Sequence, residues 1–288
     1  MRTLLRIDSH HHLWDPKWRP YSWMDSAQLA PIARPFSISD FESEIADTEI
    51  TASILVQVLP TYDETPDFLR IAANSQTIFG VVGWIDLIEP DSWRRINHYR
   101  DCQGSEKLVG IRELIQDKQD PGWMLQDQVI ENVRGIGREG LVFDLLTQAH
   151  QLSDTIELVK RCPDVRFVLD HLSKPGIKIG NLRIWKEDIR KLSGFENVAC
   201  KVSGLITEAK WHEWKLSDFE PYFEVALECF GRDRLMYGSD WPVCNLSGNY
   251  RQVYELAEGL TSNLSQTELE LFWGKNAARI YGLRLTRP

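Results

Sequence analysis

Five residues near the start of the chain, Asp8-Ser9-His10-His11-His12, hold its densest set of groups able to bind a cation or move a proton. On a β-strand successive side chains point to opposite faces, so Asp8, His10 and His12 are predicted on one face and His11 on the other. Two imidazoles then converge, and His-x-His is a compact pair of nitrogen donors suited to Zn²⁺ and related ions. Ordinary hydrogen-bonded histidines and tag remnants show the same spacing. The pair gains meaning only from what else reaches it.

Two further segments supply partners. Val168-Leu169-Asp170-His171 and Met236-Tyr237-Gly238-Ser239-Asp240 each carry an apolar run into ionisable side chains. His10, His12, His171 and Asp240 are therefore the candidate metal ligands, and Asp240 with His171 the candidate catalytic pair. A carboxylate within reach of a water removes its proton and can later return one to a leaving oxygen. The bland alternative makes Asp170 or Asp240 a helix cap and His171 a satisfied loop residue. Arg112 and Lys201 fall near inward strand ends, where they either hold oxygens of a polar substrate or pair with Asp144, Asp170 or Glu113. Arg112, Lys201, Asp144, Trp84 and Trp241 form the candidate substrate-binding set, the indoles, with Trp14, offering flat walls to a sugar ring. His98 and His212 read as surface residues, and His150 as the start of a helix.

Such residues meet only if the elements holding them end in one place. Eight short apolar runs, at 4–12, 53–58, 80–87, 108–115, 140–145, 165–171, 197–204 and 234–240, alternate with helix-like segments at 41–46, 67–74, 126–137, 147–161, 184–192 and 219–230. The repeat is close to the roughly 30 residues of one βα unit. Near-continuous apolar strands alternating with helices imply a parallel sheet, and eight units are the number that closes an α/β (β/α)8 TIM barrel, with active sites at the C-terminal mouth. The expected organisation is a single domain over 1–288. A doubly wound sheet is disfavoured, since no G-x-G-x-x-G follows the first run. The Trp- and Pro-rich stretch between 12 and 53 is predicted to form an extended loop over the mouth, and 271–283 a final helix ended by Gly282.

The chain has 288 residues, 43% hydrophobic and 26% charged, which is the balance of a globular protein with a large core. A net charge of −9 without a basic stripe excludes nucleic acid as an expected partner. It leaves open whether a substrate is neutral or anionic. Five scattered cysteines without C-x-x-C point to a reducing compartment. With no signal-like apolar N-terminus and no membrane-length stretch, a cytoplasmic protein is predicted. Monomer and homodimer remain equal expectations.

The sequence resembles the amidohydrolase superfamily, and within it the branch of sugar-acid lactonases that includes L-fuconolactonases and L-rhamnonolactonases. The matching segments are Ile7-Asp8-Ser9-His10-His11-His12-Leu13-Trp14-Asp15-Pro16, Val109-Gly110-Ile111-Arg112, Leu141-Val142-Phe143-Asp144, Phe167-Val168-Leu169-Asp170-His171-Leu172-Ser173-Lys174-Pro175, Cys200-Lys201-Val202-Ser203-Gly204 and Tyr237-Gly238-Ser239-Asp240-Trp241-Pro242. The resemblance implies first-strand metal positions at His10 and His12, a sixth-strand histidine at His171 and a water-activating aspartate at Asp240. The implied cofactor is one divalent ion, Zn²⁺ by ligand type, dispensable in some relatives. The fourth strand carries Arg112 in place of the carboxylated lysine of binuclear relatives, which argues against two metals. It also carries Glu113 where many members of the branch have histidine. The implied activity is hydrolysis of an aldonolactone. A non-oxidative decarboxylase and a catalytically inactive binding barrel are the alternatives.

Overall fold

The computed structural model describes residues 5–285, so the Leu4 start of the first run lies outside the described residues. Eight parallel strands form one sheet in sequential order: β1 (Arg6–His11), β2 (Ile50–Val56), β3 (Ile78–Gly83), β4 (Leu108–Glu113), β5 (Val142–Leu145), β6 (Arg166–Leu169), β7 (Val198–Val202) and β8 (Leu235–Tyr237). Each expected run overlaps one, β2 and β3 beginning three and two residues earlier than expected. Beyond β1, alternation sorts their side chains. Ala52, Ile54, Val56, Val82, Val142, Val168 and Met236 fill the interior, chiefly with β-branched groups, while Leu55, Val81, Phe143, Phe167, Leu169 and Tyr237 face the helical layer.

That layer comprises α1 (Ile38–Ile45), α2 (Glu64–Ala73), α3 (Arg95–Arg100), α4 (Asp127–Arg138), α5 (Leu152–Arg161), α6 (Arg183–Ser193), α7 (Glu220–Phe230) and α8 (Tyr250–Leu260). α1 starts earlier than the apolar pattern suggests because Ser37 and Asp40 make a reciprocal capping box. α3 and α8 fall outside the expected segments. The tail is also more divided than expected: α9 (Gln266–Glu270) runs through a π-helical turn, Leu271–Lys275, into α10 (Asn276–Tyr281), which Gly282 ends at φ 64°. Ala277, Ile280 and Tyr281 of α10 join the interior cluster and close the end where the strands begin.

The 12–53 stretch folds over the mouth in short 3-10 turns, Ser22–Met24 and Ala27–Ile32. Trp14 and Phe36 exchange backbone hydrogen bonds of 3.2 and 2.8 Å, and Trp14, Tyr21, Trp23 and Phe36 pack ring against ring. Trp23 and Trp18 keep 39% and 58% of their surface exposed.

The barrel closes just beyond β8. Asp240 N–H donates to the His10 carbonyl at 2.8 Å, and His12 N–H donates to the Trp241 carbonyl at 2.7 Å. Gly238 makes this seam possible, because a Cβ there would lie 2.8 Å from His10 Cβ and 3.1 Å from Ser203 Cβ. Gly238→Ala is expected to force the strands apart and cost about 1–3 kcal/mol. Thermal denaturation checks this; an unchanged midpoint would show that the seam has slack.

Candidate active site

β1 does not deliver its side chains by simple alternation. Ile7 faces the interior, whereas Asp8 accepts from Tyr250 of α8 at 3.1 Å and from Ser239 N–H at 2.9 Å. The expectation that Asp8 shares a face with His10 and His12 is corrected by a register break between Asp8 and His11, which inserts the extra residue that turns His10 inward. His11 points to the helices, stacked on Phe41 at 3.9 Å, as alternation from His10 requires.

At the mouth His10 Nε2 and His12 Nε2 stand 3.1 Å apart. Asp240 Oδ1 lies 3.4 Å from His12 Nε2, 3.7 Å from His10 Nε2 and 3.8 Å from His171 Nε2. The outer nitrogen of His12 fixes its tautomer. His12 Nδ1–H donates to the Val56 carbonyl at 2.8 Å, and His10 Nδ1 faces Asp170 Oδ1 at 3.4 Å. Arg112 Nη1, which can only donate, is 3.2 Å from His10 Nε2. His12 Nε2 is therefore unprotonated, and with His10 Nε2 and the Asp240 carboxylate it makes a set of donors that one cation can share. A tetrahedral ion bound at about 2.0–2.2 Å separates its donors by roughly 3.3–3.6 Å, which matches this spacing. His10, His12 and Asp240 thus fit a single metal ion. A second triplet, His10, Asp170 and His171, has its carboxylate already engaged by cations.

Those cations form the floor. Lys201 Nζ is 2.6 Å from Asp144, 2.9 Å from Asp170 and 3.3 Å from His10 Nδ1, and Tyr281 O–H donates to Asp144 at 2.8 Å. Arg112 donates to Gln57 Oε1 at 3.0 Å, to the Gln57 carbonyl and to Asp170 at 3.2 Å. Burial pushes the Asp144 carboxyl up to about 6 despite Lys201. Burial also acts to raise Asp170, but Lys201, His10 and Arg112 outweigh it and hold that group well below the carboxylate range. His10 and His12 are lowered chiefly by burial, and His171 by the same cause to about 4, so all three rings are neutral at neutral pH. Asp240 remains ionised: burial opposes this, and the neighbouring His171, His12 and His10 overcome it.

Two site residues have unusual backbones. Asp240 sits at φ 57°, and His171, Leu172, Ser173 and Lys174 follow one another at φ 55, 52, 58 and 48°. This left-handed turn is held by Trp185 donating to the Leu172 carbonyl at 2.7 Å, by a Thr147–Ser173 hydroxyl pair at 2.8 Å and by Ser203 against His171 Nδ1 at 2.8 Å. Gly204, itself at φ 63°, leaves room for the His171 ring, since a Cβ there would lie 2.6 Å from Nδ1.

Above lies a cavity of about 510 Å³ whose walls include His12, Arg112, His171 and Asp240. Of the residues expected to meet a substrate, Arg112 and the Trp14 indole reach it. Lys201 and Asp144 are fully buried as an ion pair under the floor. Trp84 donates to Glu113 at 3.0 Å, and Trp241 packs between Phe36 and Phe41, so substrate contact at these four positions is corrected. The walls also include Trp23, Gln116, Lys174, Glu208 and Trp211. Lys174 was legible beside His171; Gln116, Glu208 and Trp211 lie on loops with no pattern to expose them. His98, His150 and His212 are exposed.

Two predictions follow from this geometry. Metal-stripped protein titrated with Zn²⁺ is expected to bind one equivalent per chain, and His12→Asn to lose it, as read by calorimetry and elemental analysis; two equivalents or none would refute the assignment. The fully buried Glu64 holds the Val58 and Leu59 N–H groups of the cavity wall, at 2.7 and 3.0 Å, and burial raises its carboxyl to about 7. Its folded value lies above its unfolded one, so ionisation favours the unfolded chain and this residue lowers stability as pH rises from about 4.5 to about 7. Glu64→Gln is expected to flatten that part of a stability–pH curve measured by denaturant titration.

The amidohydrolase family model matches residues 7–283. The chain is 35% identical to an L-fucono-1,5-lactonase of Burkholderia multivorans, covering 97% of this chain and 96% of that one. It is 25% identical to an L-rhamnono-gamma-lactonase of Scheffersomyces stipitis, over 61% and 59% of the two chains. Crystal structures of an amidohydrolase from Burkholderia multivorans, one with bound HEPES and one with bound zinc, superpose with a TM-score of 0.91 at 35% identity, covering 97% of this chain and all of that one. Family match, barrel and the histidines and aspartate at its mouth agree: the chain belongs to the amidohydrolase family.

Proposed function

We propose that the chain hydrolyses the ring ester of a sugar-acid lactone, an aldonolactone of the L-fucono-, L-rhamnono- or L-galactono- type. The observation that carries this reading is one ionised carboxylate, Asp240, meeting three neutral imidazoles on the floor of a cavity sized for a small ring. The similarity to named lactonases over nearly the whole chain supports the same substrate class. Five free cysteines fit a cytoplasmic setting.

Asp240 takes a proton from a water as the water oxygen attacks the lactone carbonyl carbon. The carbonyl electrons move onto its oxygen; when they return, the bond to the ring oxygen breaks, and the proton held by Asp240 passes to that oxygen. The product is the open hydroxy acid. A carboxyl held below its usual range is a weak base but releases its proton readily, which suits the second step. His171 faces the developing oxyanion. With Ser203 O–H donating to Nδ1, the ring carries its proton on Nε2 and donates it there. His10, His12 and Asp240 would hold one divalent ion, Zn²⁺ by donor type, which when bound supplies polarisation of the carbonyl. Arg112 is committed to Gln57 and Asp170 and orients His10.

A pH-indicator assay over a panel of aldonolactones is expected to show one acid equivalent per turnover with no CO₂ released. Asp240→Asn is expected to lose about 10²–10⁴-fold in kcat with its melting midpoint retained. CO₂ release from an aromatic acid would favour a decarboxylase, and silence with every lactone would overturn the proposal.

A further inference from the structure

We propose that Glu208 makes this site selective for uncharged, hydroxylated lactones, accepting a ring hydroxyl alongside Lys174 and Gln116 and turning away lactones that carry a second carboxylate. This rests on the lactone reading of the same site and adds the residues that choose among lactones.

Three side chains on the cavity wall have hydrogen-bonding capacity that the protein does not use. Lys174 and Glu208 each leave only 26% of the side chain exposed and approach each other to 3.9 Å, beyond hydrogen-bonding distance. Among the described residues neither side chain makes a hydrogen bond to protein. Gln116 Oε1 is buried and also lacks a partner. Lys174 and Glu208 are partly exposed with their capacity free, and the buried Gln116 Oε1 is left for a ligand or water to complete, since most buried polar groups are satisfied. Together they offer an ammonium donor, a carboxylate acceptor and an amide oxygen. A hydroxyl both donates and accepts, so a polyhydroxylated ring matches this set, whereas a carboxylate only accepts.

Charge sharpens the choice. The ionisable wall residues besides the histidines are Arg112, Asp117, Lys174, Glu208 and Asp240. Arg112 is neutralised by Asp170, and Gln57, His10 and Asp170 take four of its five N–H groups. Among the described residues Lys174 is then the wall cation whose donors are all unused by protein, and any anion that reaches it meets Glu208 beside it. Burial raises the Glu208 carboxyl, Lys174 opposes this, and Asp240 adds to it.

The backbone places both groups. Lys174 ends the left-handed turn that begins at His171, and Glu208 ends the 3-10 turn Ile206–Glu208 that follows Gly204. Each residue is thus tied by a short, constrained segment to the ring of His171.

The test compares kcat/KM for a neutral aldonolactone with that for an aldarolactone of the same ring size, which differs by an added carboxylate. The intact chain is expected to favour the neutral lactone by about 100-fold or more, the scale on which a misplaced charge is rejected. Glu208→Gln should reduce that preference by about 10-fold, raising KM for the neutral lactone while improving turnover of the charged one. Lys174→Met should weaken the neutral lactone as well, without rescuing the charged one. Because each readout is a ratio within one variant, a general loss of folding cancels. Equal use of both lactones by the intact chain, or a ratio that Glu208→Gln leaves unchanged, overturns the inference. Activity on neither lactone strikes instead at the lactone reading itself.

Discussion

Two backbone hydrogen bonds join the last strand of this barrel to its first, from Asp240 N–H to the His10 carbonyl and from His12 N–H to the Trp241 carbonyl. Three of the four residues that make these bonds also face the site, so the sheet cannot close without assembling His10, His12 and Asp240. Register is normally set by a hydrophobic pattern, and a slip of one residue exchanges the faces. Here the register break in β1 does the opposite: it restores an inward imidazole after an outward carboxylate, and Asp8 spends that outward position bonding to Ser239 and Tyr250 across the same seam.

Beneath the seam the charges nearly cancel. Arg112 and Lys201 balance Asp144 and Asp170, and the neutral histidines leave Asp240 as the uncompensated group. Breaking a buried pair costs more than the pair itself contributes, because a lone ion remains in a medium that solvates it poorly. That asymmetry explains why Lys201 touches two carboxylates and Tyr281 is brought from the far end of the barrel to bond with Asp144. It also accounts for a site that fits one divalent ion. One such ion would meet one free carboxylate and two nitrogen lone pairs, whereas a second would have to displace Lys201 and Arg112 from Asp170.

The strands and the four residues at the mouth were legible because they obey local rules: apolar runs of strand length, ended by imidazole or carboxylate, at βα spacing. The break in β1 was not legible, since a bulge leaves no mark in the hydrophobic pattern. Lys201 is expected at an inward strand end either to hold a substrate or to pair with Asp144, Asp170 or Glu113, and the pairing is what forms. Position along a strand says which way a side chain points, and not how far below the mouth it stops. Trp84 and Trp241 were misjudged for a related reason, because an indole near a strand end looks the same in sequence whether it lines a cavity or packs behind its wall. Glu113 resolves in the same way, as the acceptor that keeps Trp84 behind that wall.

The left-handed turn at 171–174 is the most costly local feature. Each non-glycine residue in that conformation costs about 1–2 kcal/mol, so four in succession require specific compensation. Leu172 and Ser173 are fully buried, Trp185 and Thr147 bond to the turn, and Gly204 clears space for the ring that it presents. A loop free to relax would abandon such a conformation, so its retention depends on the packing around it. What the turn achieves is placement. Within five residues of the end of β6 the chain sets His171 against Asp240 and brings Lys174 to the cavity wall, two tasks that an extended exit from the strand would spread over a longer, looser segment. The strain is therefore located where position matters most, at His171 against Asp240 and at Lys174 on the cavity wall.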